Sequence, residues 1–355
     1  MANERICLIT FSDNADHQNV VYSMFEALYP KHKIYTVGLK NPKSLIAPHT
    51  DNNFYFDCPL RPGITKGTFR LRVLRKIAKT IKEHKIKYLY FESMHLWNVL
   101  LMMLCPRTVK VVAVHDVIPH DKNHAMAACN FVTCKMADHI ILRNKKYKKV
   151  LAEKYRLPER EITCLELWRH FPPEMCSPHS GKFLCFGRIR KYKGFDLLEG
   201  IIGRTPQIQY QVVGEPDEES IAIVNKLKKY PNVFVDDREV SDKEMENYFK
   251  GADWVVLPYA SATQSGVIVD ACKYSRPVIA FNVGAISEQV KEGETGFLVP
   301  QKDVKGFANV ISKVNKFSAE ELDDFSHNAY MFGYQKYAAE AVAECFLSTI
   351  LSTKY

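Results

Sequence analysis

The stretch Phe186-Gly187-Arg188-Ile189-Arg190-Lys191-Tyr192-Lys193-Gly194-Phe195-Asp196-Leu197-Leu198 sets four cations between two glycines. An arginine offers a planar fork of donors suited to phosphate, and a lysine adds a compact charge. A strand ending at Gly187 and a helix admitted by Gly194 would carry Arg188 and Lys193 to a phosphate-bearing ligand. The spacing is neither G-x-G-x-x-G nor the G-K-[ST] of a P-loop. A solvated basic turn has the same composition, so spacing alone leaves both readings open.

Other clusters carry groups able to do chemistry. In Ser261-Ala262-Thr263-Gln264-Ser265-Gly266-Val267-Ile268-Val269-Asp270, Gln264 and Ser265 are neutral donors and acceptors that suit the polar groups of a ligand. A plain helix cap over Thr263 to Gly266 explains the same residues. The run Val111 to Val114 leads into His115-Asp116-Val117-Ile118-Pro119-His120. His115 is there a ligand-contacting group or half of a structural His–Asp pair. Asp116, His120 and Asp121 are further candidates for orienting an acceptor or taking a proton. After the first apolar run, Asp13, Asn14 and His17 either shape a ligand pocket or sit in a surface loop with Asp16 as helix cap. Glu92-Ser93-Met94-His95 borders the same pocket, or Ser93 is an N-cap. The pair Asp236-Asp237 reads as a strand-end turn.

Positioning these groups requires strands that end just before them. Ile6–Thr10, Lys33–Val37, Tyr88–Phe91, Val111–Val114, His139–Leu142 and Ile162–Leu165 read as strands, with helices over Phe69–His84, Leu96–Leu104 and Lys145–Tyr155. Arg169 to Gly181, with its three prolines, reads as a linker. The alternation then resumes with strands at Phe183–Phe186, Ile208–Val213, Val233–Val235, Trp254–Leu257, Pro277–Ala280 and Phe297–Val299. Helices are expected at Asp196–Ile202, Ser220–Lys229 and Lys243–Lys250. Such alternation builds parallel α/β sheets, whose ligands bind at the carboxyl ends of the strands. Two α/β domains joined by a hinge are the expected architecture.

Composition sets the limits. The chain has 355 residues, 46% hydrophobic and 25% charged, as ordinary globular domains do. No apolar run approaches the roughly 20 residues of a membrane span, and MANERICLITF has no signal core. The ten cysteines are scattered without a C-x-x-C pair, as expected of reduced thiols in a cytosolic protein. A net charge of +9 is concentrated in the first half, at Lys66, Arg70, Arg72, Arg75, Lys76, Lys79, Lys82, Lys85 and Lys87. Phe69, Val73, Leu74, Ile77 and Ile81 interleave at helical spacing. This basic amphipathic helix is a solvated outer face or a docking surface for anionic lipid. Nucleic acid is not an expected partner, because no zinc finger, helix-turn-helix or RNP-like set accompanies the charge.

Taken together, Gly187-Arg188 with Lys193-Gly194 and Leu197-Leu198, then Val212-Val213-Gly214-Glu215, then Ala252 to Tyr259, resemble family 4 glycosyltransferases of the GT-B fold. Asp270-Ala271, Arg276 to Ala280, Gly284, Glu288 and Gly293 to Val299 continue the same order. The likeness is strong over about residues 181 to 315 and loose before them. It implies two Rossmann-like domains facing each other across a cleft. Residues 1–172 would be the acceptor side, with a C-terminal helix at about 335–355 packing back on it, and 181–330 would bind the nucleotide sugar.

The resemblance also implies that Arg188 and Lys193 hold the donor diphosphate and that Asp270 binds the ribose. Gly187, Gly214, Tyr259, Thr263, Gln264, Ser265, Gly266 and Val267 would complete the donor pocket, with His115 meeting the sugar. The family usually has two glutamates around a glycine-rich loop. Here the first acid is absent and the second is Asp270, as in a subset of bacterial polysaccharide transferases with Ala-Thr-Gln-Ser-Gly. There is no D-x-D triplet. Prepositioned cations and a helix N-terminus would stabilise the leaving diphosphate without metal or cofactor.

The expectation is therefore a retaining transferase using a UDP- or GDP-sugar and a glycan or lipid-linked acceptor, in bacterial polysaccharide synthesis. It would be cytoplasmic, or peripheral on the inner face of the plasma membrane. A nucleotide-sugar epimerase and a non-catalytic GT-B partner subunit are the alternatives. Hydride transfer is not expected, since neither half has a dinucleotide glycine fingerprint.

Overall fold

In the computed structural model, which describes residues 4–59, 69–115, 117 and 124–353, apolar runs and amphipathic stretches alternate as strands and helices. The first series is Arg5–Ile9 (β1), Ala15–Leu28 (α1), Lys33–Leu39 (β2), Asn53–Phe56 (β3), Leu71–Glu83 (α2), Tyr88–Phe91 (β4) and Leu96–Leu104 (α3). It continues with Val109–Val114 (β5), His124–Met136 (α4), His139–Leu142 (β6), Lys148–Tyr155 (α5) and Ile162–Cys164 (β7). All seven strands pair in parallel, in the order β3-β2-β1-β4-β5-β6-β7.

The second series is Lys182–Phe186 (β8), Phe195–Ile202 (α6), Gln209–Val213 (β9), Ile221–Leu227 (α7), Val233–Asp236 (β10), Asp242–Lys250 (α8) and Trp254–Leu257 (β11). Gly266–Lys273 (α9), Val278–Phe281 (β12), Gly296–Val299 (β13), Val304–Val314 (α10) and Ala319–Tyr337 (α11) follow, and Ala339–Ser352 (α12) ends the chain's regular structure. Its sheet is also parallel, in the order β10-β9-β8-β11-β12-β13.

Local chemistry explains these elements. The central strands β4 and β11 are buried on both faces, which is why they read as continuous apolar runs. In α2, Leu74, Ile77 and Ile81 are buried while Arg72, Arg75, Lys76, Lys79 and Lys82 are exposed, a stripe at helical period. Capping boxes start α8 (Ser241 with Glu244) and α11 (Ser318 with Glu321). Two caps differ from the sequence expectation. Asn14 rather than Asp16 caps α1, and His95 rather than Ser93 caps α3 through its Nδ1. Lys66 lies outside the described residues. All ten cysteines are free, and no described helix is long and apolar enough to cross a membrane.

The chain divides into two compact units, residues 1–170 with 339–355 and residues 171–338. The proline-rich stretch between the sheets is fastened rather than loose. Trp168 is buried and donates from Nε1 to the Val20 carbonyl at 2.7 Å within the first unit. In the second, the Asp253 carboxylate accepts from Ser177 Oγ, Ser180 N and Gly181 N. The terminal helix begins at Ala339 and packs in the first unit, where Phe346 meets Tyr90 and Trp168 edge-on. The preceding α11 belongs to the second unit.

Each sheet reverses its winding once, between β1 and β4 in the first and between β8 and β11 in the second. Crevices beyond the carboxyl ends of strands at such switch points are where parallel sheets hold ligands.

Candidate functional site

At the second switch point, β8 ends at Phe186 and the chain turns at Gly187, whose φ is +98°. A Cβ there would lie 2.6 Å from Lys193 Nζ. A Cβ on Gly214, at the end of β9, would lie 2.4 Å from the Gly187 carbonyl oxygen. Both positions therefore need glycine, which brings the two strand ends together. The turn Lys191–Lys193 leads to Gly194 at φ +69°, where a Cβ would meet the Pro258 carbonyl at 2.0 Å. Ala260 N donates to the Tyr192 carbonyl at 2.9 Å. These contacts clamp the basic turn against the loop that follows β11.

Lys193 is consequently buried, with its Nζ 5.5 Å from the centre of the Tyr259 ring. Arg188 is exposed and has no ion-pair partner among the described residues. Tyr259 is itself buried, and burial pushes its phenol up to about 12. The site thus holds one fixed cation beside one free to reach, the arrangement that suits a diphosphate.

The loop Thr263–Ser265 lies between β11 and α9. Ser265 holds the N-cap position of α9, yet its side chain makes no cap bond. Its Oγ donates to the Tyr259 hydroxyl at 3.4 Å. Its backbone N donates to Gln289 Oε1 at 2.8 Å, and its carbonyl accepts from Gln289 Nε2 at 3.1 Å. Gly284, at φ +56°, lets the loop after β12 approach the Ala262 carbonyl. The loop is thus built from both sides and presents the first turn of α9, whose leading N–H groups have no intrahelical acceptor. Gly266 and Val267 form that turn, and Asp270 lies buried one turn further on. Gln264 is half-buried between the buried Thr263 and Ser265. Gly187, Arg188, Lys193, Gly214, Tyr259, Thr263, Gln264, Ser265, Gly266, Val267 and Asp270 therefore share one edge of one sheet. Gln289 was not anticipated; its signal was its place beside Glu288 in a loop following a buried strand.

At the first switch point, β4 ends at Phe91 and delivers Glu92, a fully buried carboxylate. Arg143, just past β6, donates from Nη2 to Glu92 Oε2 at 2.7 Å and to the Tyr90 hydroxyl at 2.6 Å. Tyr90 Oη also donates to Glu92 Oε2. Burial raises the Glu92 carboxyl, but Arg143 and then His115 outweigh it and hold the group down at about 2. Arg143 stacks on Trp168, 4.1 Å from its ring centre. His115 follows β5 and pairs with Glu92. His17 lies against it, ring centres 4.9 Å apart, with Nδ1 2.9 Å from Ser12 Oγ. Burial and then the His115 charge lower His17 to about 4. Asn14 is engaged as the α1 cap, and Asp13 is half-buried on the same loop. Asp116, His120 and Asp121 lie outside the described residues. Arg143 was missed, although an arginine ending the apolar run His139 to Leu142 is the mark of a charge delivered to a strand end. No cluster of described residues has the make-up of a metal site.

Two parallel-sheet α/β units of this topology define the GT-B fold. The family model described as "Glycosyl transferases group 1" matches residues 180–316, most of the second unit. D-inositol 3-phosphate glycosyltransferase of Mycolicibacterium smegmatis is 28% identical over 164 residues, 42% of this chain and 38% of the relative. The chain thus spans about two fifths of that relative's length. Anabaena HepE, solved in complex with UDP and glucose, superposes with a TM-score of 0.75 at 15% identity, over 99% of this chain and all of HepE. The lipopolysaccharide outer core galactosyltransferase WaaB superposes at 0.66 with 14% identity, over 99% of this chain and all of WaaB.

Proposed function

We propose that the chain is a retaining, metal-independent glycosyltransferase that moves a sugar from a UDP- or GDP-sugar to a glycan or lipid-linked acceptor. The observation that carries this reading is the buried Lys193 ammonium held against Gly187 and Tyr259 beside the exposed Arg188. Two cations and the first turn of α9 converge where a leaving diphosphate gathers negative charge. Preset charge of that kind acts without reorganisation as the bond breaks. Asp270 is assigned to the ribose, Gln264 to Gly266 to the sugar and phosphate, and His115 to the transferred sugar. That HepE was solved with UDP and glucose supports a uridine donor. The names of the inositol phosphate and lipopolysaccharide transferases support a polyol, glycan or lipid-linked acceptor.

An anionic membrane surface is the proposed second partner, in keeping with polysaccharide synthesis on the inner face of the plasma membrane. The first unit carries 29 Lys and Arg against 17 Asp and Glu, the second 20 against 23, so the basic excess belongs to the first unit. Phe69 and Leu71, 69% and 44% exposed, lie at the start of α2 beside Arg70, Arg72 and Arg75. Apolar and basic groups together favour anionic lipid over a plain solvated face. Flotation with phosphatidylglycerol vesicles but not phosphatidylcholine ones is the expected result; equal recovery would overturn this part.

The donor reading is tested by thermal shift against UDP, GDP, ADP, CMP and dTDP, on wild type and Arg188→Ala. Stabilisation by one nucleoside diphosphate, lost in the variant, is expected. Turnover of the matching sugar nucleotide with and without acceptor then separates a transferase from an epimerase. Absence of any shift would point instead to a non-catalytic subunit.

A further inference from the structure

From the buried network at the first switch point we infer that Glu92 is a positioning residue: it clamps His115 Nε2–H and leaves Nδ1 as the ring atom presented to substrate. Its relevance to turnover rests on the proposed role of His115; the clamp itself does not.

The geometry is specific. His115 Nε2 lies 2.9 Å from the Glu92 backbone carbonyl, with hydrogen-bond alignment, and 2.8 Å from Glu92 Oε1 as a close charge contact. Both neighbours are acceptors, so the proton must sit on Nε2 in the neutral ring. Oε2 is filled by Tyr90 and Arg143, whereas Oε1, fully buried, receives no aligned donor. The His115 ring is the partner within its reach.

A buried ion pair is weak support for stability, because desolvation cancels most of the attraction. The Arg143–Glu92 pair is therefore better explained by what it does to its third member. Arg143, stacked on Trp168 and reaching the Glu166 carbonyl at 3.3 Å, keeps Glu92 ionised where a lone carboxyl would take up a proton. Among the described residues, the titratable and charged groups facing His115 are Glu92 just past β4, His17 from α1 and, behind Glu92, Arg143 just past β6. His17, kept neutral by burial and by His115, walls the other face of the ring and hinders its rotation. Nδ1 then accepts from a sugar hydroxyl when the ring is neutral and donates when it is cationic.

The test is two-bond proton–nitrogen spectroscopy of the histidine rings in the full chain, with His115 assigned from His115→Gln. Wild type should show a pyrrole-type Nε2 and a pyridine-type Nδ1 on the neutral His115 ring. In Glu92→Gln the amide oxygen should turn to Arg143 and Tyr90, leaving the amide NH2 facing the ring, and the Nε2–H form should lose its dominance. An Nδ1–H tautomer in wild type, or an undiminished Nε2–H tautomer in Glu92→Gln, would overturn the assignment. If Glu92→Gln does not fold because Arg143 is left unpaired, Glu92→Gln with Arg143→Met removes both charges and gives the same readout. In kinetics, Glu92→Gln should lower kcat at least tenfold with the nucleotide-sugar KM within twofold. The expected spectra with unchanged kcat would support the clamp and count against the sugar-contacting role of His115.

Discussion

The Nζ of Lys193 rests where a side chain on Gly187 would begin, 2.6 Å from the Cβ position. The lysine head is thereby held over the end of β8 by the absence of one methyl group. Gly187→Ala should displace it and strain the turn at φ +98°, costing about 1 to 3 kcal/mol of stability. Nucleoside-diphosphate affinity, measured by titration calorimetry, should fall more than tenfold while the protein remains folded at 25 °C.

Arg188 and Lys193 should separate by burial. Arg188 is exposed, so Arg188→Ala should leave unfolding free energy within about 0.5 kcal/mol. Its kcat should fall roughly 10²- to 10³-fold, the usual scale for losing a preset stabiliser of developing charge. Lys193→Ala should cost both turnover and stability, because a buried stem packed on Tyr259 is lost with the charge. Urea melts beside initial rates distinguish the two patterns.

Gln289 ties both backbone groups of Ser265. Gln289→Leu would strand a buried N–H and C=O, at about 1 to 3 kcal/mol each. Loosening of the Thr263–Ser265 loop should also weaken donor binding although Gln289 is assigned no ligand contact. A destabilised variant with wild-type donor affinity would show that this loop is not part of the donor site.

Acid should act on the first unit in two steps. His17 is held at about 4 against 6.5 unfolded, so the unfolded chain binds the extra proton between those values. Stability should fall as pH drops from 6.5 towards 4, and His17→Gln should flatten that limb. Glu92 is held at about 2 against 4.5, so its contribution is complete above 4.5 and is lost as pH falls towards 2. Melting temperature followed from pH 7 to 2.5 in wild type, His17→Gln and Glu92→Gln checks the assignment.

The sequence by itself determined the elements whose cause is local. Tyr88–Phe91, Leu96–Leu104, His139–Leu142 and Trp254–Leu257 were legible to the residue, because short apolar runs and a helical period are properties of neighbouring positions. Phe186 to Gly194 was legible as a strand end, a basic turn between two glycines and a helix start for the same reason. The strand Asn53–Phe56 was not, since its half-buried edge position leaves no apolar alternation to read. Nor was His124–Met136, whose apolar residues do not gather on one side. The caps at Asn14 and His95 were each misplaced by two positions, because several neighbouring residues could each have supplied the acceptor.

Partnership across the sheet was decided by tertiary structure alone. Glu92, His115 and Arg143 end three adjacent strands, so the order β4-β5-β6 makes neighbours of residues up to 51 positions apart. Gln289 reaches Ser265 from the loop after β12 for the same reason. Residue type can announce an able group, but a parallel sheet chooses its partner, since crossover connections put distant strand ends on one edge.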